Sequence, residues 1–226
     1  MRPLLIPILV LLAGCGDDGL GHCQADHGTH TGEATYYTFA DGSGNCGFPA
    51  TPDDLMVGAM NHDDYAASAV CGACVALAGP SGAVTVRIVD QCPECPRGNI
   101  DLSPEAFAEI ADLSAGRVPI SWSYVPCDVS GPIVYHFKEG SSQWWLAVQM
   151  RNHRHRIARL EALGADGSWS ELPRADYNFF IASAGLGPGP FSFRVTDVEG
   201  QTLEDDAVPL VVAGDAPGAA QFPACP

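Results

Sequence analysis

The stretch Thr85-Val86-Arg87-Ile88-Val89-Asp90-Gln91-Cys92-Pro93-Glu94-Cys95-Pro96-Arg97-Gly98-Asn99-Ile100-Asp101-Leu102-Ser103 organises the reading of this chain. Its first third is β-branched and alternating, a strand that ends in the carboxylate of Asp90. A Cys/Pro-rich turn follows, and a second carboxylate, Asp101, stands just before a helix start. Ser103 is a good N-cap and Pro104 suits the first helical position, which predicts a helix over Ser103 to Leu113 with Phe107, Ile110 and Ala111 on its apolar face. Two acids delivered by one rigid turn suggest an active-site groove.

Upstream and downstream of this stretch the chain reads as short strands with turn signals between them. Glu33 to Phe39, Met56 to Met60, Ala73 to Leu77, Val84 to Val89 and Val118 to Val125 are the strands of a first unit, and with a single helix they are consistent with a small closed barrel. Pro126 to Pro132 is a short boundary. Beyond it, Ile133 to Glu139, Leu146 to Arg151, Ile157 to Leu163, Phe179 to Ser183, Phe191 to Thr196 and Val208 to Val212 predict a β-sandwich of about 95 residues. The expected organisation is a signal peptide over 1–14, a lipidated tether over 15–31, the barrel over 32–128 and the sandwich over 132–225.

The N-terminus supports that plan. Arg2 and the apolar run Leu4 to Leu12 form an export signal too short for a permanent membrane span. Leu12-Ala13-Gly14-Cys15 resembles a bacterial lipobox, which implies lipidation at Cys15 and contact with a membrane only through that anchor. The remaining cysteines (23, 46, 71, 74, 92, 95, 127 and 225) are an even set in an exported chain and read as disulfides. Cys71-x2-Cys74 and Cys92-x2-Cys95 also fit zinc spacing, but export, the four further cysteines, and Asp90 and Pro93 in the turn weigh against it, so no metal or cofactor is expected. A net charge of −16 repels phosphate backbones, anionic headgroups and acidic polysaccharides alike. Nucleic acid is thereby a poor partner, and neutral glycans remain.

Several side chains have the right chemistry for glycans. Asp101, beside apolar Ile100 and Leu102, suits a general acid of raised pKa, although Asp also simply caps helices. Asp90 either faces the groove or holds the turn. Alternation puts Thr35 and Tyr37 on one strand face and Tyr36 on the other. Ser141-Ser142-Gln143-Trp144-Trp145 offers adjacent indoles, Tyr177 a further ring and Lys138 a nearby cation, a set able to stack and hydrogen-bond a sugar chain. Arg151-Asn152-His153-Arg154-His155-Arg156 reads as a solvated strand end, and His22, His27 and His30 as tether residues.

Taken in order, Gly32-Glu33-Ala34-Thr35-Tyr36-Tyr37, Val89-Asp90, Asp101-Leu102-Ser103-Pro104, Lys138-Glu139-Gly140-Ser141-Ser142-Gln143-Trp144-Trp145, Arg151-Asn152-His153 and Asp176-Tyr177-Asn178 resemble the expansin family, of the bacterial expansin-like type, from about Thr31 to Pro223. The resemblance implies an all-β chain: a six-stranded double-psi β-barrel followed by an immunoglobulin-like β-sandwich that binds cellulose. It implies loosening of polysaccharide contacts in plant-type walls without cutting, by a monomer that is secreted or held at the bacterial surface. Asp101 would be the essential residue, with Thr35 and Asp90 beside it. Trp144, Trp145 and Tyr177 would form the cellulose platform, supported by Lys138, with Tyr37 contacting glycan in the groove. The pairings it implies are Cys46–Cys71, Cys74–Cys127, Cys92–Cys95 and Cys23–Cys225. The chain departs from the family where bacterial members carry a groove tyrosine two residues after the first acid; here that residue is Cys92. Endoglucanases on the same barrel place a base four residues after the threonine, where this chain has Phe39, so hydrolysis is not expected. The alternatives are an endoglucanase on the same barrel, a lytic transglycosylase, which needs no hydrolytic water, and a non-catalytic cellulose adhesin.

Overall fold

The structure is a computed structural model that describes residues 28–38 and 40–224. Its first unit is a closed barrel of six strands in the order β1-β5-β2-β4-β3-β6. These are β1 (His30–Tyr36), β2 (Val57–Asn61), β3 (Cys74–Ala78), β4 (Ala83–Cys92), β5 (Ile100–Leu102) and β6 (Val118–Val125). β1 pairs parallel with β5 and β2 parallel with β4, while the other neighbours are antiparallel. Inward-facing Val57, Met60, Val75, Leu77, Val86, Ile88, Ile100 and Leu102 fill the interior, and Phe107 and Ile110 close it from outside. Short helix α1 (His62–Tyr65) follows β2 and α2 (Pro104–Ala108) follows β5.

The second unit is an immunoglobulin-like sandwich of two four-stranded sheets. One has the order β10-β9-β12-β13 and the other β11-β8-β7-β14. The strands are β7 (Val134–Phe137), β8 (Leu146–Arg151), β9 (Ile157–Leu163), β10 (Trp169–Glu171), β11 (Phe180–Ala182), β12 (Phe191–Asp197), β13 (Thr202–Val208) and β14 (Asp215–Pro217). Tyr135, Phe137, Phe180, Phe193, Val195 and Phe222 form its own buried core.

Several expectations need correction. The helix predicted over Ser103 to Leu113 stops after Ala108, because Asp112 accepts from Ser114 N–H and starts a separate 3-10 turn at Leu113–Ala115. Ser103 does cap α2, accepting from the N–H of Ala106. Asp101 lies in β5, a three-residue strand too short to show a period. The strand expected over Val208 to Val212 is displaced: β13 ends at Val208, and Gly214 N–H closes a turn onto the Val211 carbonyl. Charged Glu204, Asp205 and Asp206 hid β13, although Asp205 is buried and accepts from the Tyr135 hydroxyl at 2.9 Å.

The basic stretch is not a solvated strand end throughout. His153 and His155 are both buried, His153 Nδ1 bonding the His155 carbonyl at 2.8 Å and His155 Nδ1 meeting Asp197 Oδ2 at 2.8 Å. His30, read as tether, opens β1 and stacks on Trp122 at 4.0 Å. The candidate zinc cysteines are divided among three disulfides, Cys46–Cys71, Cys74–Cys127 and Cys92–Cys95. Cys15, Cys23, Cys225, His22, His27 and Phe39 lie outside the described residues.

Candidate functional site

Four neighbouring strands bring the groove residues into one row. β4 carries Asp90, which is in register with Ala59 of β2; Ala59 is in register with Asp101 of β5; Asp101 is in register with Thr35 of β1. One strand separates the two acids, so their backbones lie roughly 10 Å apart at ordinary strand spacing. Ala59 is the floor between them, and its single methyl leaves the space above it open. The resulting cavity of about 160 Å³ is lined by Tyr37, Ala59, Asp90, Gln91, Cys92, Pro93, Glu94 and Asp101. The Cys92–Cys95 bridge closes the turn at its edge, where Glu94 is exposed on the rim.

The two acids are in different states. Thr35 Oγ1 donates to Asp101 Oδ1. Burial nevertheless raises the Asp101 pKa, with Glu94 adding to the rise while the Thr35 bond and Arg117 oppose it. Asp90 Oδ1 is engaged by backbone, accepting from Asn45 N–H at 2.6 Å and Gln91 N–H at 2.8 Å. Gly44 permits this, since a Cβ there would lie 2.4 Å from the Asp90 Cβ. Tyr37 is held protonated by burial and by the charges of Asp90, Asp101 and Asp41, and its hydroxyl is buried with no hydrogen-bond partner among the described residues. Alternation along β1 turns Tyr36 away, onto Phe107 at 5.0 Å.

From Asp90 the polar contacts run across to the sandwich. Asn45 Nδ2 donates to Asp176 O at 2.9 Å and to Tyr65 Oη at 2.8 Å, and Tyr65 itself donates to Asp176 O at 3.0 Å. Burial raises the Tyr65 pKa to about 12, which keeps that donor neutral. Gln149 and Asn178 side chains both donate to the Cys46 carbonyl, at 2.8 and 3.2 Å. Asn178 has φ +65°, a left-handed conformation that Asn tolerates and that turns the loop carrying Tyr177.

Tyr177 is 37% exposed and Trp144 74% exposed, with Trp145 half-buried between turn and strand. The alternation break that adjacent indoles require is a tight turn ahead of β8, closed by Ser142 N–H on the Trp145 carbonyl at 2.7 Å. Gly185 seats this turn, since a Cβ there would lie 2.1 Å from the Gln143 carbonyl oxygen. Lys138 Nζ lies 5.1 Å over the Phe179 ring and 6.0 Å over Tyr177. The sequence reading gave no site role to Asn45, Ala59, Gln91 or Glu94, and quoted Asp176 only as part of the motif around Tyr177. Nothing local in Gly42-Ser43-Gly44-Asn45 ties Asn45 to an acid 45 positions away.

Among the described residues no cluster of His, Cys, Asp and Glu is arranged to hold a metal ion.

A family model described as "Lytic transglycolase" matches residues 29–122. The chain is 36% identical over 203 residues to Expansin-YoaJ of Bacillus subtilis, covering 86% of this chain and 87% of that protein. It is 29% identical over 211 residues to Expansin-like protein 2 of Dictyostelium discoideum, covering 88% of this chain and 50% of that protein. The crystal structure of apo Clavibacter michiganensis expansin superposes with a TM-score of 0.81 at 34% identity, covering 87% of this chain and 99% of that one. An aspartate-to-asparagine variant of the same expansin, solved with cellohexaose, matches equally, with a TM-score of 0.81 at 33% identity.

Proposed function

The chain belongs to the expansin family, and from that premise we propose that it binds cellulose and loosens neutral wall polysaccharides without hydrolysing them. One observation carries the reading. The desolvated, Thr35-bonded Asp101 sits in an open groove that Asn45 and Asp176 tie to the aromatic face of the sandwich. Asp101 is the working residue, and burial, by raising its pKa, favours the protonated form that can donate to a glycosidic or hydroxyl oxygen. Thr35 positions it. Asp90 fixes the Asn45 loop, and Tyr37 offers its buried hydroxyl to the bound chain.

Trp144, Trp145 and Tyr177 stack on the C–H faces of sugar rings, with Lys138 hydrogen-bonding hydroxyls. A cellulose chain is the ligand this combination fits, in line with the cellohexaose complex of the Clavibacter protein.

Hydrolysis requires a second, free carboxylate to activate water. Asp90 Oδ1 is held by two backbone amides and Asp41 Oδ1 by Ser43, whose hydrogen bonds hold the Asp41 pKa below the ordinary range. Glu94 is the remaining carboxylate that lines the groove, on its outer rim. We infer export from the three disulfides, which persist in oxidising compartments. A signal peptide over 1–14 and lipidation at Cys15 complete that reading.

A cellulose-paper weakening assay run beside reducing-sugar release from amorphous cellulose tests it. Weakening without sugar release is the expected result; released cello-oligosaccharides would make the protein an endoglucanase, and binding with neither would leave an adhesin. The match of residues 29–122 to the lytic transglycolase model favours a second reading, peptidoglycan cleavage with Asp101 as sole acid. Soluble muropeptides released from purified sacculi would establish it.

A further inference from the structure

The junction of barrel and sandwich holds a second cavity, of about 380 Å³, which shares no lining residue with the acidic groove. That volume lies within the roughly 300–1,000 Å³ of ordinary ligand sites. Phe48, Val86 and the Cys74–Cys127 bridge give it apolar walls.

Its polar groups come from both units. Arg87 of β4 lies over the Phe48 ring at 5.7 Å, and its Nε is buried with no hydrogen-bond partner among the described residues. Its terminal nitrogen makes one long contact, 3.4 Å to Thr51 Oγ1. His153, from the turn after β8, is 5% exposed and donates through Nδ1 to the His155 carbonyl. Burial lowers its pKa to about 4, so at neutral pH the ring is uncharged and Nε2 is an acceptor. Gly72 makes room for that ring, since a Cβ there would lie 2.7 Å from Nε2. Asp54, Asp128 and Thr85 form an exposed rim.

A buried donor without an acceptor costs on the order of 1–3 kcal/mol, and a ligand that supplies the acceptor recovers it. We propose that this junction cavity binds an uncharged pyranose unit, the end or a side branch of a neutral glycan. A sugar hydroxyl both accepts and donates, so it satisfies Arg87 Nε and His153 Nε2 together, while its neighbours donate to Asp54 and Asp128. With the Arg87 cation inside and two carboxylates on the rim, an ionic sugar of either sign meets a like charge as well as an opposite one, a conflict that a neutral hydroxyl avoids. The site needs both units docked, because Arg87 and Phe48 belong to the barrel and His153 to the sandwich. Together with the groove, it gives the protein a second, independent hold on a branched glycan.

The test is an NMR titration of the 15N-labelled full-length protein with methyl β-D-glucopyranoside, sodium glucuronate and glucosamine hydrochloride at matched ionic strength. The neutral glycoside should shift the Arg87 Nε–H signal and the His153 and Phe48 amides, and cellohexaose, whose ends are the same pyranose, should compete for those shifts. Arg87→Gln should weaken binding about tenfold, the effect of losing one hydrogen bond from a charged donor. Thr85→Trp, at an exposed rim position, should block the cavity and abolish the shifts in a protein whose remaining spectrum is unchanged. Absence of shifts with the neutral glycoside, or stronger shifts with either charged sugar, would overturn the proposal. If cellohexaose perturbs neither the groove residues nor the aromatic face, the groove assignment fails while this one stands on its own titration.

Discussion

Asn45 donates its main-chain N–H to Asp90 Oδ1 at 2.6 Å. The same residue's side chain reaches the Asp176 carbonyl at 2.9 Å, so one asparagine is bound at once to a groove acid and to the loop that carries Tyr177. Asp90 Oδ1 is thereby engaged by backbone, and in the proposed reading Asp101 is the acid that acts on a bound glycan. The groove and the aromatic face keep a fixed relation through this residue.

Asn45→Ala should therefore uncouple the two units more than it weakens either. It leaves Asp176 O with one donor of two and costs about 1–3 kcal/mol. The melting temperature should fall and loosening should drop severalfold, while cellulose pull-down persists. An unchanged melting temperature would mean that the contact does not hold the units together.

Asp101→Asn should abolish paper weakening while leaving cellulose pull-down intact. Because Thr35 can still donate to the amide oxygen, stability should change by no more than about 1 kcal/mol at neutral pH. Weakening at wild-type levels in this variant would remove Asp101 from the mechanism.

The pH dependence follows from burial of the same carboxyl. Its folded-state pKa is raised, so below the unfolded value of about 3.9 the acid is neutral in both states and burial carries no charge penalty. As pH rises through the folded-state pKa the carboxylate is buried charged and that stability is lost. Asp101→Asn should match the wild type in acid and become relatively more stable above that range, in chemical denaturation across pH. If the protonated acid is the working form, loosening declines over the same interval. Thr35→Val removes the bond that opposes the shift, so the declining limb should move to higher pH; a stationary limb would separate Thr35 from Asp101.

The exposed indole makes a clean binding test. Trp144→Ala removes a ring that packs little within the protein, so the fold should melt unchanged. Loss of one stacking contact, about 0.5–1.5 kcal/mol, should weaken cellulose binding about two- to tenfold. Trp145→Ala should cost both affinity and stability, because that ring is half-buried. Equal pull-down of the Trp144 variant and wild type would defeat the platform.

The disulfides should differ in weight. Cys92–Cys95 closes a separation of 3 and Cys74–Cys127 one of 53. Loop entropy predicts about 2 kcal/mol for the first and about 4 kcal/mol for the second when the pairs are replaced by serine. Denaturant titration checks the order, and a larger loss at Cys92–Cys95 would show that the turn is held by that bridge far beyond its entropy.

The sequence by itself determined what is local. β-Branched alternation marked most of the strands, the Asp90–Asp101 turn marked the groove, and the adjacent tryptophans marked the exposed face. The order of those motifs along the chain was enough to indicate the family. Tertiary structure alone decided the register. Asp90, Ala59, Asp101 and Thr35 share a row because β2 and β5 are threaded between β4 and β1, and parallel pairings of this kind leave no local period. β5 has three residues and β13 is acidic, so neither offered a hydrophobic repeat to read. The burial of His153 and His155, and the double role of Asn45, arise where barrel meets sandwich. Whether a polar side chain there faces water or a partner depends on packing between segments far apart in the chain, which no window of sequence contains.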